Sequence, residues 1–312
     1  MRILPGLVFI VTLLSCTSDY DLPIPYTGKQ IVLNGILNPD SILKVKLSFS
    51  QELTETTPAE AIENASVKVL ENGNRLIELY HNLDGEYIST VRVLSGNSYK
   101  VIANVSGYAE VEAEDIVPQE PVISACYRQR VIDNSYDVLI NLDVVNDPNL
   151  KNRYWFDTSV RDYISKHSTE TALTKLYYIT CEDFFLDNFN SSYDNTDQNF
   201  YYTLFMRQSD ESKSTNRFQL AITGADGNPF FRYETLQNLD ENQGLFVNTY
   251  NCSAAYDQFL KSTLTEFLNE ELYGMSNPIN GPVKIFSNVK NGLGIFGAYS
   301  LKTIDINEYL CN

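Results

Sequence analysis

The sequence predicts a mainly β protein, with an N-terminal antiparallel sandwich followed by a larger β-rich domain that carries one prominent helix. Three observations predict it. Between residues 29 and 118, short alternating or β-branched apolar runs recur with turn residues between them. Beyond residue 121 alternating runs continue, and one stretch, 253–273, keeps a 3.6-residue apolar period. Aromatic residues make up 12% of the 312 residues, with 21 tyrosines and 16 phenylalanines, types that suit a pleated, half-buried surface.

The N-terminal elements follow in order. Ile31-Val32-Leu33, Lys44 to Phe49 and Ser66 to Leu70 read as strands. Glu71-Asn72-Gly73-Asn74 is a hairpin turn, because Asn-Gly readily adopts positive φ at both central positions. Leu83-Asp84-Gly85-Glu86 and Leu94-Ser95-Gly96-Asn97 are further turns, each followed by a tyrosine that begins a strand. Val101 to Val105 and Ala109 to Ile116 alternate. Strands at this spacing predict a sandwich of immunoglobulin-like or transthyretin-like type. Val117-Pro118-Gln119-Glu120-Pro121 is the predicted boundary, so the two domains run 29–118 and 119–312.

In the second region Tyr136 to Val145 is a predicted strand, with Arg153 to Val160 as its expected partner. Arg217 to Thr223 is another. The helix has Ser253 as its cap, an apolar stripe from Tyr256 to Leu272, and Gly274 as its stop.

Residues 1–15 read as a signal peptide: Arg2 supplies positive charge, and the apolar run to Leu14 is too short to span a bilayer. Leu13-Leu14-Ser15-Cys16 resembles a bacterial lipobox, which makes Cys16 the expected acylated N-terminus. Two or three acyl chains anchor stably where one does not. Residues 16–28 then form an acidic, proline-containing tether, Thr17-Ser18-Asp19-Tyr20-Asp21-Leu22-Pro23-Ile24-Pro25, similar to the export signals of surface lipoproteins.

Charge narrows the partners. Lys and Arg total 23 against 40 Asp and Glu, for a net of -17, which argues against nucleic acid and against electrostatic docking on anionic lipid. The expected membrane partner is therefore reached through acyl chains on Cys16. Besides Cys16, the cysteines are Cys126, Cys181, Cys252 and Cys311, which allow three disulfide pairings. An exported chain permits them, and buried free thiols compete.

No catalytic constellation is legible. His81 and His167 lie in polar contexts without a nucleophile motif, and no G-x-S-x-G occurs. Glu110, Glu112 and Glu114 share one strand face and read as water-facing. Glu182, Asp183, Asp187, Asp194 and Asp197 lack EF-hand spacing and read as a solvated acidic loop, so no metal or cofactor is expected. Tyr177, Tyr178, Phe184, Tyr193 and Tyr201 form an aromatic band suited to a ligand or partner surface, although strand alternation would send half of such a band into a core. Gly292-Leu293-Gly294-Ile295-Phe296-Gly297 spells G-x-G-x-x-G, but an alternating run follows it where a dinucleotide site needs a helix. Its expected role is close approach of two backbones, or a bulge between strands.

That segment also carries a resemblance. Pro282 to Val289 with Asn288, then Asn291 to Ser300 with Gly292, Gly294, Phe296 and Gly297, resembles the C-terminal signature of the DUF4249 family of Bacteroidetes lipoproteins. The resemblance implies an outer-membrane, lipid-anchored, surface-exposed protein found beside TonB-dependent transporters, with no catalytic residues to carry over. The expected function is therefore non-enzymatic ligand or transporter-partner binding. A surface hydrolase on dispersed carboxylates, or a structural cell-surface component, are the alternatives.

Overall fold

The computed structural model describes residues 28–39, 41–52, 55–132, 135–145, 151–162, 173–176, 179–180, 186–189, 205–208, 217–223, 244–273, 283–306 and 311. The protein is mainly β. Seven strands come first: β1 (Ile31–Leu37), β2 (Ile42–Phe49), β3 (Ser66–Glu71), β4 (Arg75–His81), β5 (Glu86–Arg92), β6 (Ser98–Asn104) and β7 (Val111–Ile116). Period-two alternation sends Ile31, Leu33 and Leu37, Leu43, Val45 and Leu47, and Val67 and Val69 into one shared interior. Asn72 and Gly73 both take positive φ, 51° and 70°, in the tight β3–β4 turn. β4 pairs with β3 on one side and β5 on the other, so the sheet bends around this core.

The remaining strands are β8 (Val122–Ile132), β9 (Ser135–Val145), β10 (Tyr154–Asp162), β11 (Leu173–Leu176), β12 (Ile179–Thr180), β13 (Leu186–Phe189), β14 (Phe205–Gln208), β15 (Arg217–Thr223), β16 (Gly244–Cys252) and β17 (Leu293–Asp305). Helix α1 (Ala254–Tyr273) lies between the last two. Strands β12-β15-β9-β8 make a four-stranded sheet. The expected pairing of Tyr136–Val145 with Arg153–Val160 does not form: β9 pairs with β8 and β15, whereas β10 pairs with β16, β14 and β11. Both strands have an apolar face, and those faces meet across a core. Ile140, Leu142 and Val144 of β9 pack there with Tyr154 and Phe156 of β10. Trp155, between the latter two, points to the other face of its sheet and packs with α1.

β17 joins the two regions. Its residues Leu293–Ala298 pair in parallel with β1, and Tyr299–Asp305 pair antiparallel with β16. One sheet, 13-stranded among the described residues, therefore runs from β13 to β7. The last strand completes the N-terminal core, where Phe296 and Ala298 are fully buried. Cys126 on β8 is bonded to Cys311, which ties the C-terminal tail to the four-stranded sheet. Cys252 is a buried free thiol.

Candidate functional site

A cleft of about 710 Å³ opens where β7, the 117–119 segment, the start of β10 and the N-terminus of α1 converge. Asp115 forms its floor. Along β7, Val111 and Ala113 are buried while Glu112 and Glu114 face outward, and Asp115 falls at the inward parity. Its Oδ2 accepts the hydroxyl of Ser253 in a short contact, and its Oδ1 accepts the Ile116 N–H at 2.9 Å. Burial pushes its pKa up to about 6, against the lowering effect of Ser253, two backbone N–H groups and Arg153.

Ser253 caps the helix as its sequence position predicts. Its Oγ accepts Tyr256 N–H at 3.2 Å and Ala298 N–H at 3.2 Å, while its own proton goes to Asp115. A hydroxyl offers one proton and two lone pairs, so Ser253 is saturated and is a joint rather than a nucleophile. Three elements, β7, α1 and β17, meet on this one oxygen.

Behind the cleft lies a buried ion pair. Asp257, in the first turn of α1, takes Arg207 in a bidentate grip, with Nε to Oδ1 and Nη2 to Oδ2 both at 2.8 Å. The Trp155 indole donates to Oδ1 at 2.8 Å. Arg153, lining the cleft, stands 3.9 Å from Oδ2. Asp257 and Arg207 are only 3% and 4% exposed, so these charges stay paired in low dielectric. Beside them burial raises the Cys252 thiol far above its ordinary value, which keeps it an inert packing group. A second buried carboxylate, Asp157, accepts Asn248 and, at 2.8 Å, the Tyr250 hydroxyl. Burial raises it as well.

The signature residues serve the joint. Asn288 acts as a strand substitute for Phe296, accepting its N–H at 2.9 Å and donating to its C=O at 2.8 Å. Gly294 has φ +106°, and a Cβ there would fall 2.2 Å from the Leu33 carbonyl oxygen. A Cβ at Gly297 would fall 2.9 Å from that of Tyr256, so α1 lies directly on β17. At Gly292 it would meet the Ile31 carbonyl oxygen at 2.7 Å. The G-x-G-x-x-G string thus runs into a parallel strand and does not sit at the mouth of a helix.

The other residues singled out by the sequence fall elsewhere. Tyr177, Tyr178, Phe184, Tyr193 and Tyr201 lie outside the described residues, as do Cys16, Cys181, His167 and the signal segment. His81 is exposed at the end of β4, 5.4 Å from the Tyr87 ring. Glu112 pairs with Lys100 at 2.6 Å and Lys290 at 2.8 Å. Among the described residues no group of three or more His, Cys, Asp or Glu is placed to hold a metal ion, and no helix is long and apolar enough to cross a membrane.

Pattern reading misses Asp115, Arg153, Arg207 and Asp257. Two signals are available: Asp115 is a charge at the buried parity of an otherwise regular strand, and Asp257 is an acid in the first turn of the helix. Nothing local marks Arg207 as its partner, 50 residues away.

The geometry defines a mainly β protein whose C-terminal strand and single described helix lock onto its N-terminal sheet. The chain belongs to the family described as Domain of unknown function (DUF4249), whose model matches residues 17–305. No curated protein matches the chain.

Proposed function

We propose that the chain is a lipid-anchored surface protein of the outer membrane, acylated on Cys16, that serves a TonB-dependent uptake system by binding a ligand or the transporter. The observation that supports it best is the direction of β17. β1 begins just after the tether, and β17 runs parallel to it before passing on to β16. Over 13 residues that is about 40 Å of rise. The C-terminal half is thereby carried away from the end where the tether enters, which suits a body displayed outward from a membrane. The junction cleft, lined by Lys151 and Arg153 together with Glu114 and Asp115, is the binding site of this reading.

The test is palmitate labelling of the full chain with and without Cys16→Ala, followed by affinity purification from solubilised membranes. Labelling that survives the substitution defeats the anchor, and purification that enriches no transporter defeats the partner. A hydrolase reading draws support from Asp115, a carboxyl group with a pKa of about 6 at the floor of a cleft. It requires activity on a glycan or peptide panel that disappears in Asp115→Asn.

A further inference from the structure

On the α1 side of its sheet, Trp155 of β10 stands directly opposite Tyr250 of β16. The Phe205 ring meets both edge-on, 6.0 Å from the indole and 6.1 Å from the phenol. Tyr299 lies 5.6 Å beyond Tyr250, and Tyr256 stacks on Tyr299 at 5.5 Å. These rings form one row, from a fully buried indole to two half-buried tyrosines. Among the described residues, Tyr250 is the one tyrosine of the row whose hydroxyl donates to a carboxylate, that of Asp157 at 2.8 Å. The Tyr299 hydroxyl instead accepts the Asn38 amide at 3.1 Å.

Two buried carboxylates attend this row, and they differ. Asp257 accepts the indole N–H but is gripped by Arg207, which holds it as a carboxylate. Asp157 accepts only the Tyr250 hydroxyl and the Asn248 amide, both neutral, so no cation stands where a proton would go. Burial raises both the Asp157 carboxyl and the Tyr250 phenol above their ordinary values. The phenol therefore keeps its proton until it loses an electron. An oxidised phenol is a strong acid, and Asp157 is the base already hydrogen-bonded to it.

We infer that Tyr250 is a redox-active tyrosine, with Asp157 as its proton acceptor and Trp155 as its electron relay. A one-electron oxidant in solvent, of the oxygen-centred radical class, takes one electron from the row and is itself reduced. Wherever on the row that electron is lost, Tyr250 replaces it. Its O–H bond breaks as the proton passes to Asp157 Oδ2, leaving a neutral tyrosyl radical and a neutral carboxyl group. The row thus acts as a sink that spares the indole. The inference depends neither on the anchor at Cys16 nor on the junction cleft.

The chain has one tryptophan, so flash photoionisation with light that only indole absorbs creates the radical on Trp155. Hexaamminecobalt(III) takes up the ejected electron irreversibly. In the full chain in detergent, the indole radical absorption should decay as a tyrosyl absorption grows, and more slowly in deuterium oxide. Tyr250→Phe, which keeps the ring packing, should slow that decay about ten-fold or more. Asp157→Asn should slow it to a similar degree. Tyr154→Phe, next to Trp155 but on the opposite face of the sheet, should leave it unchanged. Absence of tyrosyl growth, an unaltered rate in Tyr250→Phe, or a rate set by Tyr154 would overturn the inference. Should Asp157→Asn fail to fold, the solvent comparison decides the proton step. Equal rates in water and deuterium oxide would remove Asp157 as acceptor and overturn the inference as well.

Discussion

The Asp115 carboxylate receives the Ser253 hydroxyl proton across 138 residues of sequence, and the same serine oxygen receives the Ala298 N–H. The pair holds the end of the N-terminal sheet, the start of α1 and the turning point of β17 together. The cap is thus a tertiary joint as well as a local one.

This joint should respond to pH. Asp115 has a folded-state pKa of about 6 against an ordinary 3.8, so the protonated form favours folding. Its contribution is fully present below about pH 4 and is lost as pH rises through 6. Between pH 5 and pH 8 it should cost about 1 kcal/mol of stability, one unit of pH below the folded pKa being worth roughly that much. Asp115→Asn should abolish that part of the slope in urea denaturation at the two pH values. An unchanged slope would mean that the carboxyl group is more solvated than its contacts indicate.

Glu112 should behave in the opposite sense. Hydrogen bonds from Lys100 and Lys290, with their charges, hold its pKa down at about 2 against 4.5. Its contribution is present above pH 4.5 and disappears as pH falls through 2. Carboxyl NMR titration of Lys290→Ala should show the Glu112 pKa moving up. The same substitution removes the side-chain half of the contact between β7 and the segment before β17, whose backbone pairs Lys290 with Glu112.

Substitution of Gly294 should be far worse than substitution of Gly73. Both have positive φ, but a Cβ at Gly73 meets nothing within 4 Å while one at Gly294 meets the Leu33 carbonyl oxygen at 2.2 Å. Gly73→Ala should cost about 1 kcal/mol, the backbone penalty alone. Gly294→Ala adds a clash between two paired strands and should cost several-fold more, read as the shift in thermal midpoint of the two variants side by side.

Arg207→Met should destabilise by about 3–5 kcal/mol, because it leaves Asp257 buried with its main charge partner gone. The double variant Arg207→Met, Asp257→Leu should recover a large part of the loss. Chemical denaturation of the two single variants and the double gives the coupling directly. Independent, additive losses would contradict the bidentate contact.

Much of the N-terminal sheet is legible in the sequence because its information is local. Alternation and Asn-Gly or Asp-Gly turns place β2, β3, β6 and β7 to within about three residues and mark where β5 begins, and the apolar period with the Ser253 cap places α1. Alternation identifies an apolar face but does not say whether it meets a strand edge to edge or face to face. For that reason the β9 and β10 strands are legible and their relation is not. The cysteines show the same limit: their spacing leaves three pairings open, and it is the approach of the C-terminal tail to Tyr127 that joins Cys126 to Cys311.

By itself, then, the sequence determined the mainly β class, the helix and its cap, and a glycine string unfit for a nucleotide. Those follow from periodicity, φ preference and side-chain size within a few residues. Tertiary structure alone decided that β17 belongs to both halves, that an inward acid on β7 meets the helix cap, and that Arg207 finds Asp257. Such pairings join residues 50 to 261 positions apart, from Arg207 with Asp257 to Asn34 with Ile295. They depend on which faces the whole chain must bury together, a condition that no local pattern records.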